Sequence, residues 1–270
     1  MKIQVLVAAM YQKDHSLLET MNIQSDAIVG NQCDHNSIES FEWRENRITY
    51  LNFSERGVGL NRNNTLLRAD GDILLLADDD LSYFADYVTV VRQAFEARPK
   101  ADAIIFNIET KGADMGRRIN RKSKRVRWYN SLNYGAVRIA VRRKSLQRYR
   151  IAFSQCFGGG TLYSSGEDSL FICDMLKKGL KLYTSPEFIA SVDQTSSTWF
   201  SGYNEKYLYD KGAFFKAAFG SWARPMCVLE LMRHRCLYKD LSMTFRQKYR
   251  LMKKGIKGYQ TLTPWQAAVN

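Results

Sequence analysis

Short apolar runs alternate with helical patterns along the first 110 residues. The runs predicted as strands are residues 3–8, 27–29, 48–51, 73–77 and 103–106. Apolar residues at helical spacing follow the first, third and fourth of these runs. Alternation of strand and helix predicts an α/β fold, with a mostly parallel sheet between helices. Ligands of such sheets bind beyond the carboxyl ends of the strands.

The second half of the chain has a weaker pattern. Residues 168–178 are predicted as a helix closed by Gly179, and residues 181–183 as a strand. From Glu205 onward the pattern is helical, amphipathic and basic. We therefore expect one domain in two halves, residues 1–110 and 111–200, followed by a basic helical extension over residues 201–270.

Charge is unevenly distributed along the 270 residues. The net charge is +13, yet residues 1–110 carry 10 basic and 17 acidic side chains, while residues 111–150 carry 14 basic and 1 acidic. Residues 201–270 carry 13 basic and 4 acidic side chains. This partition does not favour a uniform nucleic-acid-binding surface, but it is compatible with basic patches that face anionic lipid or phosphate.

Composition narrows the class of protein further. Apolar residues make up 45% of the chain, and no apolar stretch is long enough to span a bilayer. Five scattered cysteines without a CxxC pair argue against a disulfide framework or a zinc site. These features predict a folded protein of the reducing cytoplasm.

Three consecutive acids, Asp78, Asp79 and Asp80, end the buried run at residues 73–77. Adjacent carboxylates repel one another, and a divalent cation would relieve that repulsion. Oxygen ligands with no nearby histidine favour Mg²⁺ or Mn²⁺, which would complete its shell with diphosphate oxygens. The alternative is a solvated acidic turn that caps the next helix.

A second acidic pair, Glu167 and Asp168, opens a predicted helix behind a glycine-rich stretch at residues 158–160. Two acids in a first turn can simply complement the helix dipole. The functional alternative makes one carboxylate a general base for an acceptor hydroxyl.

Residues 57–63, Gly-Val-Gly-Leu-Asn-Arg-Asn, begin another predicted helix. They do not form the dinucleotide fingerprint, because Arg62 stands where a third glycine is required, and the Gly-Lys-Ser/Thr of a P-loop is also missing. The histidines at positions 15, 35 and 234 have neither metal nor triad spacing.

Taken in order, these motifs resemble the inverting family 2 glycosyltransferases, which have the GT-A fold. That family has a glycine turn with an Arg-Asn helix start, an Ala-Asp-Gly-Asp turn, an apolar strand, an Asp-x-Asp and a later Glu-Asp pair. The matching positions here are residues 57–63, 69–72, 73–77, 78–80 and 167–168. The resemblance covers about residues 3–200 and implies transfer of a sugar from a nucleotide-diphosphate sugar, expected to be a UDP-sugar.

The resemblance also implies roles for single residues. Asp78 would lie near the ribose and the metal, and Asp80 would coordinate the Mn²⁺ or Mg²⁺ that bridges the diphosphate. Arg62 would belong to the donor site. Asp168 would be the catalytic base, with Glu167 beside it orienting the acceptor.

Four further residues follow from the same resemblance. Ala8, Ala9 and Asp34 would surround the nucleobase, although Asp34 stands alone where the family has a run of acids. Trp199 is expected either to stack on an acceptor sugar or to be an aromatic residue of the core or the rim. The Gln-x-x-Arg-Trp motif of processive members is missing near residue 199, so transfer of a single sugar is expected.

The implied pathway is bacterial surface polysaccharide synthesis at the cytoplasmic face of a membrane. The basic segments suit a saccharide acceptor linked to a polyprenyl pyrophosphate. An amphipathic face with Phe214, Phe215, Phe219 and Trp222 is expected either to lie in an anionic membrane interface or to cap the sheet as an ordinary helix.

Two other functions compete with this interpretation. A nucleotidyltransferase also uses acidic metal ligands on an α/β sheet, but it needs a basic glycine-rich phosphate loop that residues 8–13 do not provide. A non-catalytic RNA- or phosphate-binding module would use residues 111–150 with their interleaved aromatic residues. That module leaves both acidic motifs without a role, so no nucleic-acid partner is expected.

Overall fold

A nine-stranded mixed sheet forms the centre of the computed structural model, which describes residues 1–111, 119–193 and 202–269. Its strand order is β3-β4-β2-β1-β5-β8-β7-β9-β6. Six of these strands run in one direction, and β3, β6 and β8 oppose them. The strands are β1 Ile3–Met10, β2 Asp26–Gln32, β3 Ser37–Trp43, β4 Asn46–Phe53, β5 Ile73–Asp78, β6 Leu81–Tyr83, β7 Ala103–Lys111, β8 Ile139–Arg142 and β9 Leu182–Asp193.

Helices cover both faces of the sheet and extend beyond it. They are α1 Leu17–Thr20, α2 Val58–Arg68, α3 Tyr87–Ala97, α4 Arg143–Tyr149, α5 Glu167–Lys177, α6 Glu205–Phe219, α7 Ala223–Arg233, α8 Phe245–Thr261 and α9 Trp265–Val269. Short 3₁₀ segments lie between several of them, including Trp128–Asn133 and Ala136–Arg138. The architecture confirms the predicted α/β class.

Strand β1 sets the position of the functional edge. It is buried along nearly its whole length and pairs in parallel with β2 on one side and β5 on the other. Ala8 is in register with Gly30 of β2 and with Asp78 of β5. The carboxyl ends of these three strands therefore meet at one edge, where the sequence predicts ligands.

Alternate side chains of the central strands pack into two separate apolar layers. Val5 and Val7 of β1 lie in one layer with helix α3, and Leu6 lies in the other with helix α5. An unbroken apolar run such as Ile73–Ala77 in β5 is what two covered faces require.

Three strands were not predicted from the sequence pattern. Strand β3 is an exposed antiparallel edge strand with polar residues on most positions, so it carries no apolar alternation. Strand β8 is only four residues long, and β6 only three. Strand β9 was predicted over residues 181–183, but it extends to Asp193.

The C-terminal helices build a third apolar cluster against the glycine-rich loop and α5. Phe214 and Phe215 are buried in this cluster, so of the two alternatives the helical cap, and not a membrane face, holds for these two residues. Phe219 is half-buried, whereas Trp222 is 70% exposed. None of the described helices has both the length and the apolar character needed to cross a bilayer.

Helices α6 and α8 cross in close contact at two glycines, Gly212 and Gly255. A Cβ added to Gly255 would collide with the carbonyl oxygen of Tyr209, and one added to Gly212 would collide with that of Met252. The backbones therefore touch where no side chain fits.

We predict that Gly255→Ala lowers the free energy of unfolding by about 1–3 kcal/mol, since the helices must separate to admit the methyl group. Chemical denaturation of this variant and of Lys254→Ala, an exposed neighbour on the same helix, measures the effect. Equal stability of the two variants would show that the close crossing is not needed.

Candidate active site

The three acids at the end of β5 have different surroundings. Asp79 turns back towards β1, where its carboxylate accepts hydrogen bonds from the Met10 N–H (3.2 Å) and the Gln12 side chain (3.3 Å). Burial raises the pKa of Asp79, and the neighbouring Asp78 adds to the effect. Asp78 is partly exposed and Asp80 is exposed. Two of the three acids therefore remain at the open edge of the sheet.

Arg62 of helix α2 lies behind this turn and joins it to the second acidic pair. Its side chain is only 4% exposed and forms ion pairs with Asp78 (2.7 Å) and Asp168 (2.6 Å). Glu167 is 3.6 Å from the same guanidinium, which stacks on Phe153. Burial disfavours the charge on Arg62, but these three carboxylates outweigh it and raise its pKa. The predicted donor-side and acceptor-side acids are thus held by one buried cation.

Glu167 and Asp168 occupy the first turn of α5, as predicted. One oxygen of Asp168 accepts from Arg62, and the other accepts from the Ala136 N–H at 2.8 Å. Burial, reinforced by the adjacent Asp168, raises the pKa of Glu167 to about 7. Neighbouring carboxyls with such different surroundings are suited to different tasks in proton transfer.

A cavity of about 600 Å³ opens in front of this pair. The 3₁₀ segment and residues Tyr134 and Gly135 form one wall, and helix α6 forms the opposite wall with Tyr207, Lys211 and Phe214. Lys211 stacks on the rings of Tyr207 and Phe214. The cavity is large enough for a sugar-sized ligand beside both carboxyls.

The residues predicted around the nucleobase lie near the ends of β1 and β2. Ala8 faces the functional edge in register with Asp78, but the side chain of Ala9 is buried in the apolar core. Asp34 follows β2 and is 94% exposed, with His35 as its hydrogen-bond partner at 3.0 Å. The predicted acceptor residue Trp199 lies outside the described residues.

Several contacts at the site could not be predicted from the sequence. Arg56 stacks on Tyr11 and donates to the Cys33 carbonyl, next to the predicted nucleobase site. Lys206 and Ser164 bind the buried carboxylate of Asp210 on the cavity wall. Lys206 and Asp210 are four residues apart on α6, but every other contact joins residues at least 23 positions apart, and none stands in a sequence motif.

The donor set at the open edge fits a hard divalent cation. Asp78 and Asp80 offer carboxylate oxygens, which Mg²⁺ and Mn²⁺ prefer, and both are accessible for a ligand that brings phosphate oxygens. Asp79 is committed to the backbone of β1 and to Gln12. Asp78 and Asp80 are therefore the candidate metal ligands, whereas Asp79 between them has a structural role.

Comparison with known proteins finds a family that part of the chain resembles. Residues 34–153 match the family model described as glycosyl transferase family 2. Over this segment, which is less than half of its 270 residues, the chain is similar to the family 2 glycosyltransferases. The matched segment contains Asp34, Arg62, Asp78 and Asp80, while Glu167 and Asp168 lie beyond it. A comparison with curated proteins finds no match to this chain.

Solved structures establish the fold of the chain. TarS of S. aureus in complex with UDP-GlcNAc is 12% identical and superposes with a TM-score of 0.69, covering 99% of this chain and 83% of that one. A longer TarS structure is 13% identical, with a TM-score of 0.65, and this chain spans 50% of its length. The mannosyltransferase PcManGT of Pyrobaculum calidifontis, in complex with GDP-Man and Mn²⁺, is 14% identical with a TM-score of 0.50, covering 98% and 84%. The GT-A fold expected from the motifs is confirmed.

Glu167 makes the stability of the protein depend on pH. Its pKa in the folded chain is about 7 against an ordinary value of 4.5, so the folded state binds more protons between these values. Stability should therefore fall by up to about 3 kcal/mol as pH rises from 4.5 to 7.

We predict that Glu167→Gln flattens this decline, whereas Glu96→Gln, an exposed carboxyl on α3, leaves it unchanged. Urea denaturation at several pH values measures the slope. An identical slope in wild type and Glu167→Gln would contradict the raised pKa.

Proposed function

We propose that this protein moves one sugar from a nucleotide-diphosphate sugar to a hydroxyl of a saccharide acceptor, with inversion at the anomeric carbon. The observation that carries the proposal is the Arg62 bridge between Asp78 and Asp168. Through this bridge, a single guanidinium group contacts both Asp78 of the candidate donor site and the candidate base Asp168. The likeness to TarS with bound UDP-GlcNAc supports a UDP-sugar as donor.

The donor would lie over the carboxyl ends of β1, β2 and β5. Ala8 and Asp34 would border the nucleobase, and Asp78 and Asp80 would hold the divalent cation with the diphosphate. A bound Mn²⁺ or Mg²⁺ would neutralise the charge that develops on the departing diphosphate. Arg62 is too deeply buried to reach a ligand, so we assign it as a positioning residue that fixes Asp78 and Asp168.

The acceptor would occupy the 600 Å³ cavity, with its reacting hydroxyl directed at Asp168. Asp168 takes the hydroxyl proton as the oxygen attacks the anomeric carbon from the face opposite the leaving nucleotide. Glu167, with a pKa near 7, holds its proton for much of the time at neutral pH and can donate a hydrogen bond to the acceptor. One carboxyl thus accepts a proton while its neighbour orients the substrate.

The basic segments suit an acceptor that carries phosphate, such as a saccharide linked to a polyprenyl pyrophosphate. We propose accordingly that the enzyme works at the cytoplasmic face of a membrane in surface polysaccharide synthesis. Residues 1–110 would bind the donor, residues 111–200 the acceptor, and residues 201–270 would complete the acceptor cavity through α6.

A thermal-shift panel of nucleotides and nucleotide-sugars, with and without Mn²⁺, tests the donor site. We expect one diphosphate nucleotide to raise the melting temperature only with the metal, and Asp80→Ala to lose that increase. Asp240→Ala, at an exposed acid outside the site, is the matched control. A panel without any stabilising nucleotide, or an unchanged response in Asp80→Ala, would overturn the assignment.

A further inference from the structure

A second cavity, of about 450 Å³, opens at the opposite end of helix α5 from the acidic pair. We call it the α5 groove. Its lining residues come from residues 125–131, from the end of α5 with the turn that follows, and from the end of α6. They are Arg125, Val126, Arg127, Trp128, Ser131, Cys173, Leu176, Lys177, Gly179, Leu180, Ala218 and Phe219.

The floor of the α5 groove is aliphatic and aromatic. Leu176, Leu180, Ala218 and Phe219 belong to the lining, and no aspartate or glutamate is among the described residues that form it. Its charged residues are all basic. Lys177 is already paired with Asp174 at 3.3 Å, so the two arginines carry the uncompensated charge of the rim.

Arg125 has capacity for a further hydrogen bond. Its guanidinium stacks on Tyr183, and one terminal nitrogen donates to the Leu180 carbonyl at 3.1 Å. The other terminal nitrogen, Nη1, is buried and has no hydrogen-bond partner among the described residues. Arg127 is exposed beside it in sequence and lines the same groove. Since Arg125 and Arg127 both line the groove, an anionic group at the rim would lie beside two guanidinium groups.

Two large aromatic side chains project next to the rim. Trp128 is 68% exposed and Tyr129 is 70% exposed, and their rings meet edge to face at 5.8 Å. Exposed tryptophan and tyrosine beside basic residues are typical of the interface between a membrane and water, where an apolar ring and a polar group are both satisfied.

The α5 groove lies at a fixed distance from the candidate active site. Asp168 and Lys177 are nine residues apart on α5, which corresponds to about 14 Å along a helix. The 3₁₀ segment Trp128–Asn133 separates the two cavities, because Trp128 and Ser131 line the groove whereas Leu132 and Asn133 line the acceptor cavity.

We propose that the α5 groove binds an anionic phospholipid of a bilayer surface. The phosphate would pair with Arg125 and Arg127, an acyl chain would lie along the aliphatic floor, and Trp128 with Tyr129 would enter the interface. The aliphatic floor favours a lipid over an RNA strand, whose bases would stack on the exposed rings and leave the floor uncovered. Binding at the groove would hold the acceptor cavity near the bilayer, and this last consequence alone rests on the proposed function.

Flotation of the full chain with vesicles tests the proposal. We expect binding to phosphatidylcholine vesicles that contain phosphatidylglycerol and little binding to phosphatidylcholine alone. The double variant Arg127→Glu/Trp128→Ala should bind the anionic vesicles at least about tenfold more weakly. The control Arg92→Glu/Leu67→Ala reverses the charge of an exposed arginine of α3 and truncates an apolar side chain of α2 that is 80% exposed, both outside the groove. It should bind like wild type.

Short-chain dihexanoyl phosphatidylglycerol, used below its micelle concentration, separates a lipid site from general surface charge. We expect it to raise the melting temperature of wild type and of the control, but not of the groove variant. Vesicle binding without this shift, or equal vesicle binding by the two double variants, would overturn the groove as the lipid site. Displacement of the protein from vesicles by a single-stranded oligonucleotide, with no response to the short-chain lipid, would select RNA instead. None of these measurements requires sugar transfer, so they succeed or fail independently of the proposed activity.

Discussion

Replacing Asp168 with asparagine should abolish sugar transfer and leave donor binding intact. Asparagine keeps the shape of the side chain, but its amide cannot take the proton of an acceptor hydroxyl. General-base catalysis contributes about 10²–10⁴-fold, so kcat should fall by about a thousandfold or more. The donor site lies on the other side of Arg62, around Asp78 and Asp80, so the metal-dependent thermal shift should persist.

The rate is measured as release of nucleoside diphosphate, with the donor that the thermal-shift panel selects and a panel of saccharide acceptors. Asp174→Asn is the matched control, because Asp174 lies on the same helix, is half exposed and pairs with Lys177. A near-normal rate in Asp168→Asn would remove the base assignment. If Glu167→Gln lost the activity instead, the base would be Glu167.

The fold could be predicted wherever burial leaves a pattern in the sequence. Strands β1 and β5 lie between two covered faces, so their apolar runs are unbroken, and helix α3, which follows β5, shows a clear amphipathic period. Edge strand β3 is solvated, and the short β8 pairs with each of its neighbours through only three residues. Such strands depend on their neighbours in the sheet, which the local sequence does not encode.

The acidic groups of the candidate site could also be predicted, because carboxyl groups at a strand end or a helix start stand in short sequence motifs. The contact that Arg62 makes between these acidic groups could not be predicted from the sequence. Arg62 and Asp168 are 106 positions apart, and only the tertiary structure joins them. The motif at residues 57–63 marked Arg62 as part of the donor site, whereas its burial makes it a support for both sites. The cavity wall on α6 was also missed, since its aromatic residues were expected either to lie in a membrane interface or to cap the sheet.

Arg62→Met should strongly destabilise the enzyme at neutral pH. Without the guanidinium, the largely buried Glu167 and the partly exposed Asp168 and Asp78 would face one another with no cation between them. Loss of one partner from a buried ion pair typically costs about 3–5 kcal/mol. Arg62→Lys should restore only part of this stability, since a single ammonium group cannot reach the carboxylates on both sides as the planar guanidinium does.

The pH dependence separates this explanation from a simple packing defect. In Arg62→Met the carboxyls repel one another, so their pKa values in the folded chain should rise above those in the unfolded chain. Stability from such groups is present below their unfolded pKa values and is lost as pH rises. The stability that Arg62→Met loses relative to wild type should therefore be smaller at pH 5 than at pH 7. Urea denaturation at several pH values measures it, with Arg68→Met, an exposed arginine of the same helix, as control. A deficit that stays constant with pH would mean that Arg62 stabilises the fold by packing on Phe153 rather than by holding the three acids together.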